Sequence, residues 1–357
     1  MTTHTLPAPP LVYEPAYEAL EPEEADTTQA LAQALQGIAS TVASHAGQAF
    51  RSVHAQSHGV LQAQLQVLPV AAPYAQGMFA APASYAACIR LSTTPGDLLP
   101  DAVSTPRGLA LKVYGVDGAR NSPDDGLHEQ DWVFINQPLF SAASAKKFLR
   151  AVQLVAPTTD RVPQAKVWLS GALRTLEGAL EKIGSGSTAL KALGGHPASH
   201  PLADSYFTQV PVLYGPHMAK LRLVPLSAAM QALQTQTLDL HAGEHPLRDA
   251  VQQFCSEHAP QWALQVQLCT DIERMPLEDA SVAWPEELSP WVTVAQVQAP
   301  AQVTWDAGKA PEQDDALRFN PWNGLAAHRP LGAIMRVRRL VYAMSAQFRQ
   351  DFNAGKL

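Results

Sequence analysis

Short segments that alternate apolar and polar residues dominate the middle of the chain and restrict its possible folds. The first four are "VLQAQLQVLPV", "ACIRLST", "RGLALKVYGV" and "DWVFIN", and four more follow: "SYFTQVPVLYG", "MAKLRLVPL", "WALQVQLCT" and "VTVAQVQA". A period of two is typical of strands, and the Pro, Gly and Asp residues between the segments are typical of turns. Because most neighbouring segments have no helix between them, the sequence predicts about eight antiparallel strands in a barrel or sandwich.

Helical periodicity is confined to a few places around these strands. Residues 1–50 are interpreted as an N-terminal arm and helix, because an arm rich in Pro, Ala and Glu precedes the helical apolar spacing of Thr27 to Phe50. Residues 51–357 form the predicted barrel domain. A helical insertion over residues 144–200, approximately, contains "AKKFLRAVQLV" and "LSGALRTLEGALEKIG". The predicted fold class is α+β, with an eight-stranded antiparallel β-barrel and flanking helices.

The composition limits the class of partner. Hydrophobic residues make up 46% of the chain, charged residues 16%, and the net charge is −7 without basic blocks. Nucleic-acid binding needs a clustered basic surface, so we expect no nucleic-acid partner. The first residues lack the charged start and apolar run of a signal peptide, and no apolar run reaches the ~18 residues of a membrane span. We expect a cytoplasmic protein, and a homodimer because closed pairs are the commonest assembly.

Cysteine and histidine spacing gives no metal site. The three cysteines are isolated and are interpreted as small buried hydrophobic residues. His241 and His245 are four residues apart, but the Gly and Pro of "HAGEHP" favour a surface turn over a helical zinc pair.

Arginines in apolar or strand-like settings require an explanation. Arg90 lies inside "ACIRLST", Arg107 begins "RGLALKVYG", and Arg51 precedes His54 by three residues. A guanidinium that faces a core is costly unless an anion pairs with it. A buried dianion such as a pair of propionates would offset that cost.

The C-terminal stretch "RRLVYAMSAQFR" allows two interpretations. On a helix Arg338 and Tyr342 are i and i+4, so the guanidinium and the phenol project from one face. The stretch is then either a basic amphipathic helix or a phenolate metal ligand with its counter-charge. Arg336 and Arg339 are interpreted as part of a solvated face.

Four stretches, in chain order, resemble motifs of the haem catalase superfamily. "RSVHAQSHG" resembles the distal motif in which Arg is followed, after two residues, by His-Ala-Lys-Gly. "IRLSTTPGDLLPDAVSTPRGLALKVYG" is similar to R-F-S-T, a loop, then R-G-F-A-V-K-F-Y, and "DWVFINQPLF" to D-x-V-G-N-N-T-P-x-F. "RRLVY" and the later "FR" are similar to R-L-F-x-Y and its following Arg. "FNPWNGLAAHRPLG" and "PLEDASVAWPEELSPWVTVAQV" resemble the short catalase-related peroxidase branch.

The resemblance implies a catalase-like barrel that binds haem b, iron protoporphyrin IX. Tyr342 would be the proximal iron ligand as a phenolate, which is the ligand type of catalases, and Arg338 its counter-charge. His54 would lie over the distal face as a catalytic residue, supported by a hydrogen bond from Ser92. The other cofactor-binding residues implied are the propionate-binding arginines and the aromatic pocket wall: Arg51, Arg90, Arg349, Phe140 and Phe148.

One position departs from the family pattern. Strict alignment to Pro138 places Ile135 where the family has its distal asparagine, and Asn136 is the next residue. Neighbouring strand residues face opposite sides. Either a bulge turns Asn136 into the pocket, where it would join the catalytic residues, or the site lacks this amide. A missing amide weakens the expectation of catalase turnover more than that of peroxidase activity.

The resemblance implies a peroxidase that reduces hydrogen peroxide or organic hydroperoxides with a small organic electron donor, alongside weak catalase activity. Two alternatives stay open. The first is a fatty-acid hydroperoxide isomerase of the allene oxide synthase type, which would use the same ligand and histidine. The second is a non-catalytic haem-binding protein.

Overall fold

The alternating segments of the sequence form antiparallel strands. A computed structural model of the chain describes residues 6–122, 128–159 and 198–357. The strands within these ranges are β1 Ser57–Val67, β2 Ser84–Thr93, β3 Arg107–Tyr114, β4 Glu129–Ile135, β5 Tyr206–Phe207, β6 Val212–Tyr214, β7 His217–Pro225, β8 Gln261–Leu268 and β9 Val292–Gln298.

The strands close into a barrel through β5. They are ordered β5-β4-β3-β2-β1-β9-β8-β7, and β5 also pairs with β7, which completes the ring. Two pairings define this closure: Ile135 with Phe207, and Tyr206 with Leu223. β6 pairs with β7 further along the same edge, so β5 and β6 share one strand position. The predicted eight-stranded antiparallel barrel is confirmed.

The segment "SYFTQVPVLYG" forms two short strands instead of one because its middle cannot continue a ladder. Gln209 has a positive φ of 61°, and Pro211 has no backbone N–H to donate. The Gln209 side chain donates to the carbonyl oxygens of Gln137 and Leu139, at 3.1 and 2.6 Å. These hydrogen bonds attach the segment between β5 and β6 to the chain that follows β4.

The barrel interior is apolar because alternate residues of each strand face it. In the second part of β1, Leu61, Ala63, Leu65 and Val67 are buried, while the three glutamines between them are exposed. Leucine, isoleucine and valine side chains of the other strands complete one continuous interior cluster. The period of two in the sequence therefore corresponds to the two faces of the barrel wall.

Three of the helices form an apolar cluster that is separate from the barrel interior. In the described ranges the helices are α1 Glu24–Ala46, α2 Ala145–Val155, α3 Ala228–Ala232, α4 Pro246–Glu257, α5 Ala310–Ala316 and α6 Ala333–Asn353, together with short 3-10 turns. α1, α2 and α6 pack together through Leu31, Leu35, Val152, Val337 and Val341. α6 carries the C-terminal tyrosine motif, so this packing sets where that motif lies.

The predicted helices agree with the structure where it describes them. The N-terminal helix runs over Glu24–Ala46 instead of Thr27 to Phe50, and it ends at Gly47, whose φ of 68° is typical of a left-handed C-cap. "AKKFLRAVQLV" is α2. "LSGALRTLEGALEKIG" lies outside the described residues. The three cysteines are buried, as expected. None of the helices in the described ranges is both long and apolar enough to span a membrane.

Substitution of Leu223, in β7, tests whether the barrel interior is the main hydrophobic core of the protein. Its side chain is fully buried. We expect Leu223→Ala to lower the free energy of unfolding by about 2–5 kcal/mol, because a cavity remains in a closed strand layer. Urea denaturation measures the change. Val303→Ala, at a residue that is 65% exposed, is the matched control and should stay within about 0.5 kcal/mol of the parent. Equal losses in the two variants would contradict the prediction.

Candidate functional site

His54 lies on a fixed loop just before β1. Its φ of 58° is unusual for a residue that is not glycine. The loop is held because the His54 amide donates to the Thr94 carbonyl at 2.8 Å and Arg90 Nη1 donates to the His54 carbonyl at 3.0 Å. The ring is fixed as well, since Nδ1 lies 3.0 Å from the Ser92 hydroxyl. The structure therefore brings His54 and Ser92 together in the arrangement that the resemblance implied.

Gly108 makes room for the His54 ring. A Cβ atom built at Gly108 would lie 2.4 Å from both Nδ1 and Cε1 of His54, which no real contact allows. Gly108 pairs with Ser92 across β2 and β3, so the glycine and the serine together form a cradle for the imidazole. None of the sequence motifs singled out Gly108. The available signal was a glycine inside a strand, which often marks a close approach by another group.

The environment of His54 keeps its imidazole neutral. Burial, and then the charges of Arg90, Arg338 and Arg51, lower its pKa to about 3 from the ordinary value of 6.5. Val53 of the His54 loop packs against the apolar cluster that contains Val337 and Val341 of α6. Two motifs from opposite ends of the sequence therefore meet at one place.

Tyr342 and Arg338 form a pair on α6. Arg338 Nη2 donates to the phenol oxygen of Tyr342 at 2.5 Å, and the guanidinium carbon lies 5.3 Å from the ring centroid. Burial raises the pKa of Tyr342, and the Arg338 charge and hydrogen bond oppose that rise. The predicted i, i+4 contact is present. The guanidinium stabilises any negative charge that develops on the phenol oxygen.

His54 and Tyr342 belong to two elements that touch, since the Ser52 amide of the His54 loop donates to Ser345 Oγ of α6 at 3.2 Å. Both residues are strongly desolvated by the surrounding protein, yet both remain partly exposed. The rings of Phe140 and Phe148 meet edge to face at 5.1 Å between centroids. Phe148 also packs with the apolar side chains of α6. The two predicted wall aromatics thus lie together beside the tyrosine helix.

Three predicted propionate-binding arginines lie together next to the His54 loop, but they contact carboxylates of α5. Arg51 Nη1 lies 2.7 Å from Asp314 Oδ2 and Arg90 Nε lies 2.5 Å from Asp314 Oδ1. Arg349 Nε lies 2.6 Å from Asp315 Oδ1. These buried guanidinium groups do face an anion, as predicted, but the chain itself supplies that anion. Nothing in the sequence indicated that "EQDDA" would supply it.

Asn136 is engaged elsewhere. Its side-chain oxygen accepts from the Arg107 amide at 2.8 Å, and its nitrogen donates to Asp204 at 2.9 Å. Asp204 also pairs with the Arg107 guanidinium at 3.0 Å, which supplies the anion that Arg107 needed. Ile135 pairs with Gly108 across the sheet, so its side chain lies on the face toward His54. The structure places Ile135, and not the Asn136 amide, on the His54 side.

The overall structure is similar to solved catalases. A fungal catalase is 18% identical over the aligned residues with a TM-score of 0.59, catalase A from Saccharomyces cerevisiae is 18% identical with a TM-score of 0.60, and a bacterial catalase is 17% identical with a TM-score of 0.59. Each alignment covers 86% of this chain and 61%, 63% and 59% of the respective catalase chains. The chain thus spans about three-fifths of their length.

These likenesses show the fold of the chain. No protein-family model and no curated protein sequence matches it. The chain therefore has a catalase-like barrel with flanking helices, as predicted.

The buried His54 makes the stability of the protein depend on pH. In the folded protein His54 stays neutral down to pH 3, approximately, whereas in the unfolded chain it takes up a proton below its ordinary pKa of 6.5. The unfolded state then binds more protons, so the free energy of unfolding falls as the pH decreases through this window. We expect His54→Gln to reduce that slope by up to about 1.4 kcal/mol per pH unit. Urea denaturation at several pH values measures the slope, and an unchanged slope would contradict the prediction.

Proposed function

We propose that this chain is a haem-dependent peroxidase of the short catalase-related branch, which reduces hydrogen peroxide or organic hydroperoxides. One observation carries the proposal: the loop with the His54–Ser92 pair contacts the helix with the Tyr342–Arg338 pair. The catalase-like barrel supports it. An orientated neutral base close to a phenol with its own counter-charge has no evident structural purpose.

The residues present fit haem b. Tyr342 would hold the iron, because a ferric ion together with the bonded Arg338 offsets the burial that now raises the phenol pKa. Phe140 and Phe148 would cover the apolar faces of the porphyrin. When bound, haem supplies the redox-active iron that accepts oxygen from a peroxide and electrons from a donor. Arg51, Arg90 and Arg349 bind carboxylates of α5, so they have the charge and geometry to bind propionates.

His54 would move the proton in this reaction. Its low pKa keeps the imidazole neutral at pH 7, so it can accept a proton from one peroxide oxygen and return it to the other as the O–O bond breaks. Ser92 engages Nδ1, which leaves Nε2 as the nitrogen that exchanges the proton. Gly108 keeps the ring in place without blocking it.

The apolar residue beside His54 favours peroxidase over catalase turnover. Catalase turnover needs a second peroxide to be held and oxidised, and Ile135 has no hydrogen-bonding group to hold it. The Asn136 amide already satisfies Arg107 and Asp204, so we leave it out of the catalytic set. An organic hydroperoxide, whose carbon chain can contact Ile135, fits this surface better than a second hydrogen peroxide.

Tyr342→Phe tests the iron ligand. We expect the parent protein, expressed with haem supply, to show a Soret band and ferric phenolate bands in its visible spectrum. The variant should lose the phenolate bands, because the ring keeps its packing but has no oxygen to bind iron. Tyr85→Phe, a tyrosine that packs against the barrel core, is the control and should keep the parent spectrum. Phenolate bands that persist in Tyr342→Phe would exclude Tyr342 as the ligand.

His54→Ala tests the proton-transfer role. With haem content matched by absorbance, we expect peroxide-dependent oxidation of an organic donor to fall about 10²- to 10⁴-fold. His241→Ala, at an exposed residue, should keep the parent rate. Unchanged turnover in His54→Ala would indicate a non-catalytic haem-binding protein. An isomerised product from a lipid hydroperoxide, formed without loss of donor, would indicate the isomerase instead.

A further inference from the structure

The carboxylates of α5 occupy the buried arginines in the way a ligand carboxylate would. Asp314 bridges two guanidinium groups: Oδ1 accepts from Arg90 Nε at 2.5 Å, and Oδ2 accepts from Arg90 Nη2 at 3.1 Å and from Arg51 Nη1 at 2.7 Å. The Arg90 side chain is 2% exposed. A two-point contact of this kind is the usual mode by which arginine binds carboxylates.

The backbone at the end of α5 completes the contact. Arg51 Nη2 donates to the carbonyl oxygens of Asp314 and Leu317, at 2.7 and 2.9 Å. Arg349 Nη2 donates to the carbonyl oxygens of Asp315 and Leu317, both at 2.9 Å. Helix C-terminal carbonyl groups carry partial negative charge. The whole acidic end of α5 therefore acts as one anionic cap over the three arginines.

Little besides charge holds this cap in place. α5 has seven residues, and Ala310 is its one buried apolar residue. Glu312 and the other outward residues are exposed. An isolated helix of this length is not stable in water. Because apolar burial contributes little to its attachment, an external anion that offers the same contacts can compete with it.

The arginine cluster also carries more charge than α5 neutralises. Three guanidinium groups face two carboxylates, Asp314 and Asp315. Burial, and then the nearby charge of Arg90, lower the pKa of Arg51 to about 9. A dianion would therefore be accommodated at least as well as the two aspartates.

We propose that α5 is a displaceable carboxylate latch on a built anion site. Asp314 and Asp315 hold Arg51, Arg90 and Arg349 until an incoming dicarboxylate replaces them, and α5 then moves away from the cluster. That the dicarboxylate is the pair of haem propionates rests on the proposed function. The latch itself rests only on the contacts of α5 with the arginines.

Haem titration of the apoprotein tests whether the aspartates of α5 compete with the haem propionates for the arginines. A latch that is closed in about 90–99% of molecules weakens the apparent affinity about 10- to 100-fold. We expect Asp314→Asn to bind haemin about 10- to 100-fold more tightly than the parent. Soret absorbance should show this as a lower Kd and faster association. Glu312→Gln, two residues away on the exposed face, removes the same charge and should bind like the parent. Equal or weaker binding by Asp314→Asn would overturn the competition.

A second measurement tests the anion site without haem. Asp314→Ala leaves two buried guanidinium groups unpaired, so its Tm should fall, and added sodium acetate should raise it saturably by about 2 °C or more. Sodium chloride at equal ionic strength, and Glu312→Ala in acetate, should not show this rise. If Asp314→Ala does not fold, Asp314→Asn replaces it. Absence of rescue by acetate would overturn the latch.

The two measurements separate the two proposals. If the parent binds haem and Asp314→Asn binds no better, the latch is wrong and the peroxidase proposal stands. If no variant binds haem, the peroxidase proposal fails, and acetate rescue alone then decides whether α5 covers an exchangeable anion site.

Discussion

The arrangement of the site depends on one buried guanidinium. Arg90, in the barrel wall, donates to the carbonyl oxygens of His54 and Ala55, at 3.0 and 3.4 Å, and pairs with Asp314. A single side chain thus connects β2, the His54 loop and α5. Loss of one partner of a buried pair typically costs about 3–5 kcal/mol. The position of His54 is therefore coupled to the anion that Arg90 binds.

A second guanidinium fixes the other side of the site. Arg336 of α6 pairs with Glu18 and Glu24 near the N-terminal helix and with Glu278 of a barrel loop, at 2.8 to 2.9 Å. These contacts raise the pKa of Arg336 against the effect of burial. The interpretation of Arg336 as part of a solvated face was wrong. Its side chain instead ties the N-terminal arm to α6, the helix that carries Tyr342.

The local patterns of the sequence predicted much of the fold and part of the site. Alternation predicted eight strand positions, because each strand has one face on an apolar interior. The four-residue spacing predicted the contact between Arg338 and Tyr342, because it depends only on helix geometry. The meeting of His54 with Ser92 followed from motif resemblance. Gly108 was missed because its role depends on the direction from which the His54 ring approaches.

The sequence by itself determined the strands, the helices and the need of its buried arginines for an anion, since these follow from local periodicity and desolvation cost. Only the tertiary structure decided which anion meets them and which side chain lies beside His54. Asp314 reaches Arg51 and Arg90 because the end of α5 lies against the barrel wall. Strand pairing places Ile135 opposite Gly108. Both outcomes depend on contacts between distant segments, which no local pattern encodes.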